Sequence, residues 1–186
     1  MYNEYNKIFW GIFIATFNIK LGAIKILPTF IGYIIILNGI ISLYKKTHIE
    51  PFNKSKTFAI IIIIITALSE FMEFSSIESN NLFLFNEIWI VFSSVIELLI
   101  FYNFFDGSIE YFNNNNICDL ACETIKKLRF YIIVSVINII FLNFALIFNI
   151  TFLNIIIPII LIILRIYLIM LIYRFKNTSV EEIETK

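Results

Sequence analysis

The sequence predicts an all-α fold: a polytopic transmembrane helix bundle of five spans plus a short N-terminal span or re-entrant helix. Three observations predict it. Hydrophobic residues make up 60% of the chain and the mean hydropathy is +0.89, where a soluble domain is about 45–50% apolar. Five apolar runs reach the roughly 20 residues that a spanning helix needs. The runs are continuous, whereas a membrane barrel alternates polar and apolar within segments of about ten residues.

Taken in order, Ile8–Leu21 is apolar but short, which leaves open a thin sixth span, a re-entrant helix or an interfacial one. Leu27–Tyr44, Thr57–Phe74, Leu84–Phe105, Phe130–Asn149 and Phe152–Phe175 follow as full spans. Lys and Arg set the orientation. Lys45, Lys46, Lys54 and Lys56 separate the second and third segments, and Lys126, Lys127 and Arg129 precede the fifth. Arg174, Lys176 and Lys186 follow the sixth, and Lys7 joins the same side. The opposite loops, Ser75–Asn81 and Asn149–Thr151, hold no basic residue; Lys20 and Lys25 alone break the pattern. Both termini are therefore expected in the cytoplasm. No cleavable signal peptide is visible, so the N-terminus is expected to be retained. Residues 1–176 read as one transmembrane domain with a cytoplasmic loop at 106–129, and residues 177–186 as a polar cytoplasmic tail. Within the loop, Ile117, Leu120, Ala121, Ile125 and Leu128 recur at helical spacing, which predicts a cytoplasmic amphipathic helix, capped by Asn116, running into the fifth span.

Helices in lipid gain nothing from burying apolar surface against one another, so close contact relies on small residues and polar pairs. Gly11, Ala15, Asn18 and Gly22 share one helical face; Gly32, Gly39 and Ser42 share another. The two faces predict a tight N-terminal hairpin turning at Gly22–Pro28. The stretch Gly22–Gly39, GAIKILPTFIGYIIILNG, carries Ile-Leu-Pro-x-Phe-Ile-Gly-Tyr from Ile26 to Tyr33. It resembles the N-terminal region of small uncharacterised integral membrane proteins of clostridia and other low-GC Gram-positive bacteria. The resemblance covers the first quarter of the chain. It implies a bacterial cell (inner) membrane protein and carries no catalytic residue with it.

Charges inside hydrocarbon cost about 2.5–3.5 kcal/mol each on insertion scales and usually face the bundle interior. Glu97 and Arg165 fall at one depth in the fourth and sixth spans, which predicts an intramembrane ion pair, structural or a ligand site. Glu70, Glu73 and Glu87 lie near the outer ends of their spans, level with Lys20 and Lys25. These five form a candidate ligand-binding group, either an outward-facing polar pocket for a cation or small zwitterion or ordinary interfacial charge. Thr66 shares the face of Glu70 and Glu73, while Phe71, Phe74 and Trp89 suit an interface belt. Ser94 lies on the side of Glu97, Asn154 and Pro158 on that of Arg165, and Ser135 with Asn138 on one face of the fifth span.

Much chemistry is excluded. The 14 basic and 14 acidic residues cancel, so no basic field points to nucleic acid. Cys118 and Cys122 are too few for a disulfide framework, and a lone His48 builds neither a haem nor a zinc site. No phosphate loop, zinc-protease motif or nucleophile elbow occurs. No metal, cofactor or catalytic residue is expected, and an intramembrane enzyme ranks last. The leading expectation is a non-enzymatic membrane subunit or regulator acting with a partner, either another membrane protein or an ATPase subunit, in the lipid bilayer. The alternative is a small-ligand or cation binding or transport subunit with an outward-facing polar pocket.

Overall fold

The structure is a computed structural model that describes residues 1–17, 20–21, 24–25, 28–74, 80–148 and 151–184. Of residues 20–21, 24–25, 73–74, 80–88, 146, 151, 154 and 178–184 only the backbone is described. The helices are α1 (Tyr2–Thr16), α2 (Thr29–Thr47), α3 (Glu50–Phe74), α4 (Asn80–Asn114), α5 (Cys118–Phe148) and α6 (Thr151–Glu184). Between α1 and α2, Lys20–Leu21 pairs antiparallel with Ile24–Lys25, setting Lys20 opposite Lys25. Each helix packs on its neighbours in sequence, and α6 returns to α1. The six therefore form a closed ring of alternating direction.

Helices α3 to α6 are long and apolar enough to cross a membrane, over Glu50–Met72, Trp89–Asn114, Cys118–Ala145 and Ile155–Asn177. Only 22% of the α3 window is buried, although its mean hydropathy is 1.8. A helix apolar on its exposed side as well belongs in an apolar medium, so the chain has the character of a multi-pass membrane protein. The 15 residues of α1 make about 22 Å, short of a bilayer core of about 30 Å.

The segments differ in extent from the apolar runs. In the expected loop region 106–129, residues 106–114 are helical, and the expected amphipathic helix is joined to the fifth span as one helix. Helix α4 continues to Asn114, α5 begins at Cys118, and only Asn115–Ile117 connects them. Ile109 and Phe112 are buried at the end of α4, as are Leu120, Ala121 and Leu128 at the start of α5. The amphipathic segment thus exists as the first turns of α5. Asn116 does not cap it. It adopts φ 62°, its N–H reaches the Asn113 carbonyl and that of Ile117 reaches Phe112. This is the Schellman ending of α4, with asparagine in the left-handed position it tolerates better than most residues. Likewise α3 starts at Glu50 and buries Phe52 and Ser55, and α6 continues through the expected polar tail to Glu184.

One end of the ring is basic and filled with rings. Tyr5, Phe104, Phe105, Phe112 and Phe175 make edge-on contacts, and Phe52 packs on Phe104. All six are fully buried, and edge-on pairs add about 0.5–1.5 kcal/mol each to their burial. At this end Lys46 meets Glu4 at 2.8 Å, Lys127 meets Glu123 at 2.7 Å, and Arg174 meets Glu123. The α1–α2 hairpin is set by glycine. A Cβ on Gly32 would lie 2.6 Å from the Ala15 nitrogen, and one on Gly11 would lie 2.8 Å from the Gly32 carbonyl. The two backbones touch, as small residues at membrane helix contacts permit. Asn18 and Gly22, also assigned to that face, lie outside the described residues.

Candidate functional site

Helix α1 stops inside the bundle, and its last carbonyls need donors. The Thr16 hydroxyl donates to the Ile12 carbonyl at 2.7 Å, and the Phe17 N–H to that of Phe13 at 2.9 Å. The Ala15 carbonyl receives Arg165 Nη1 from α6 at 3.1 Å. A cation thus sits at the negative end of the α1 dipole. Arg165 also grips Glu97 of α4 with both arms of its fork, Nε to Oε1 at 2.9 Å and Nη2 to Oε2 at 2.7 Å. Such a bidentate pair is the strong form of the charge-assisted hydrogen bond. Tyr33 of α2 completes the group: its hydroxyl donates to Glu97 Oε2 at 3.0 Å and accepts from Arg165 Nη2 at 3.2 Å. Four of the six helices therefore meet at one guanidinium.

Helix α2 presents the opposite problem, free N–H groups at its start. Pro28 is the cap residue and has no side-chain acceptor. Glu70 of α3 supplies one, its Oε1 accepting from the Thr29 N–H at 2.8 Å. The carboxylate stands at the positive end of the α2 dipole, where anions are favoured. A negative side chain thus starts one hairpin helix and a positive one ends the other.

Between these two fixtures lies a partly open cleft of about 240 Å³. Its floor is Glu97, Arg165 and Tyr33; its walls include Thr66, Ser69 and Glu70 of α3 with Trp89, Ser93 and Ser94 of α4. It lies toward the end of the ring opposite the aromatic packing. Behind the ion pair a second void of about 20 Å³ is lined by Ser94, Tyr131 and Ser135.

Of the residues singled out in the sequence, Glu97 and Arg165 meet, and Thr66, Glu70 and Ser94 line the cleft above them. The side chains of Glu73, Glu87, Lys20 and Lys25 lie outside the described residues. Trp89, expected to suit an interface belt, has its Nε1 donating to the Ile65 carbonyl at 3.1 Å, tying α4 to α3. Ser135 Oγ and the Asn138 amide are buried and hold no hydrogen bond among the described residues. Pro158 is exposed and takes no part in the cleft, and Cys118 and Cys122 are exposed.

Sequence reasoning missed Tyr33, Ser69, Ser93 and the Ala15 carbonyl. Tyr33 had a signal, because a tyrosine deep in an apolar run needs a partner for its hydroxyl. The Ala15 carbonyl had none, since only the end of α1 frees it. No protein-family model, curated protein or solved structure matches the chain.

Proposed function

We propose that this chain is a multi-pass protein of the bacterial cell membrane, five spans plus a short N-terminal span or re-entrant helix, that binds a small polar ligand in the cleft above Glu97 and Arg165. It acts as a non-enzymatic binding subunit alongside a partner protein. The observation that carries this reading is the cleft itself: about 240 Å³ walled by hydroxyls, carboxylates and an indole, inside a bundle whose outer face is apolar. A concave site with a few convergent polar groups is the usual form of a small-ligand site. A subunit that served only to dock a partner would fill that space with packed side chains. The basic residues gathered at the other end support cytoplasmic termini, which turns the cleft to the outside.

The test uses the full chain in detergent. Its thermal midpoint is followed against a panel of small polar cations, zwitterions, neutral polyols and anions, for wild type and for Ser93→Leu, which fills the cleft. At least one compound should raise the wild-type midpoint saturably, and Ser93→Leu should abolish the rise. If no compound acts, or if filling the cleft leaves the response intact, the reading is wrong.

A further inference from the structure

A hydroxyl on a helix in an apolar bundle can spend its proton on the carbonyl four residues back. Thr66, Ser93 and Ser94 each do so. Ser135 of α5 does not. The residue is 6% exposed, and its Oγ is buried without a hydrogen bond among the described residues. A buried hydroxyl left so is costly and calls for a partner. Ser135 lines the void of about 20 Å³ behind the ion pair, together with Glu97 and Arg165. Tyr131, one turn earlier on α5, lines it too and lies close to Ser135. A void needs about 10–15 Å³ to hold one water, and two to four polar partners to keep it.

The ion pair has hydrogen-bonding capacity left on both sides. A carboxylate offers about four lone-pair sites, and three hydrogen bonds at Glu97 leave one on Oε1. A guanidinium has five N–H groups, and the four bonds of Arg165 leave one on Nη1. We infer that the void is a binding site for one water molecule, held by Ser135 and bridging α5 to the Glu97–Arg165 pair. An ion does not suit it, because the guanidinium repels a cation and the carboxylate an anion. Water is neutral and both donates and accepts, which matches a wall with one free proton, one free lone pair and two hydroxyls. Four helices meet at Arg165 by direct contact, and the water brings in α5. The void backs onto the cleft, since Ser94, Glu97, Leu161 and Arg165 line both. The inference stands apart from what the cleft binds.

Crystals of the full chain grown from a lipid mesophase, wild type beside Ser135→Ala, give the test. At about 2 Å resolution the wild type should show one density peak in the void, within about 3.2 Å of Ser135 Oγ. The peak should be gone from Ser135→Ala. A void without density, a peak that survives in Ser135→Ala, or a Ser135 hydroxyl turned onto the Tyr131 carbonyl would each overturn the inference. The thermal midpoint in detergent gives a second readout that needs no crystal. Ser135→Ala takes an anchor from the water and should lower the midpoint by about 2–4 °C. In a dry void the same change only removes an orphaned hydroxyl, so an unchanged or raised midpoint also counts against the site.

Discussion

Arg165→Met puts the central junction to the sharpest test. The variant removes four hydrogen bonds at once: two to Glu97, one to Tyr33 and one to the Ala15 carbonyl. It leaves Glu97 with the Tyr33 hydroxyl alone, and the Ala15 carbonyl with no donor. Removing one partner of a buried pair costs about 3–5 kcal/mol. Because the side chains retain 24% and 16% exposure, the low end applies, about 3 kcal/mol. Glu97→Leu should cost a similar amount, since it leaves the guanidinium charged and half-satisfied. The double variant removes both charges and leaves the Ala15 carbonyl and the buried Tyr33 hydroxyl without these partners, about 1–2 kcal/mol each. The two single effects should thus together exceed the double by about 2–4 kcal/mol, where independent sites add within about 0.5 kcal/mol. Reversible unfolding in mixed micelles, followed by tryptophan fluorescence, measures all four proteins. Additivity within that half-kilocalorie would refute the view that Glu97 and Arg165 stabilise one another.

Four further outcomes follow from the same contacts. Exchanging the pair, Glu97→Arg with Arg165→Glu, should recover only part of the stability, because a carboxylate at 165 cannot donate to the Ala15 carbonyl; full recovery in the unfolding assay would contradict that anchor. Gly32→Ala should destabilise by about 1–3 kcal/mol through overpacking, since the new methyl meets backbone of α1. Gly39→Ala should cost less, because its closest neighbour is the Ile8 side chain at 2.5 Å, which can turn away; equal thermal shifts would argue against backbone contact at Gly32. Glu70→Gln keeps an acceptor for the Thr29 N–H and should lose about 0.3–1 kcal/mol of dipole interaction, whereas Glu70→Leu should lose about 1–2 kcal/mol with the cap.

The last outcome concerns pH. Burial pushes the Glu4 carboxyl up, but its bond to Lys46 and its contact with the Met1 amino group together hold it below the ordinary carboxylate value. A carboxyl lowered in the folded state stabilises fully above its unfolded pKa of 4.5, and that contribution fades as pH falls through the folded value. Unfolding free energies between pH 6 and 3 should therefore decline more steeply in wild type than in Glu4→Gln; parallel curves would remove Glu4 from the account.

How much of this was legible in the sequence varies by element. The depth of Glu97 and Arg165 could be counted along two helices, because rise per residue is constant and charges in hydrocarbon seek one another. The small-residue faces of Gly11 with Ala15 and of Gly32 with Gly39 were legible from helical spacing. The cleft was legible only in part. Thr66, Glu70 and Ser94 were marked, but Ser69 and Ser93 carry no signal of their own on apolar helices. The helix over Cys118–Leu128 was legible from its spacing, but residues 106–114 were misjudged because polarity was taken for an end of helix. Asn113 and Asn114 are exposed, yet Ile109 and Phe112 beside them bury into the aromatic end and keep α4 helical.

Composition and the length of its apolar runs, by themselves, determined that this chain forms long helices for an apolar medium, since backbone polar groups must be satisfied within each segment there. The basic clusters determined that one end of the bundle differs from the other. Tertiary structure alone decided what the buried charges do. Where α1 stops and α2 starts, unpaired carbonyl and N–H groups appear inside the ring, and Arg165 and Glu70 answer them. Those demands arise from the positions of helix ends in space, which no spacing along a single helix reveals.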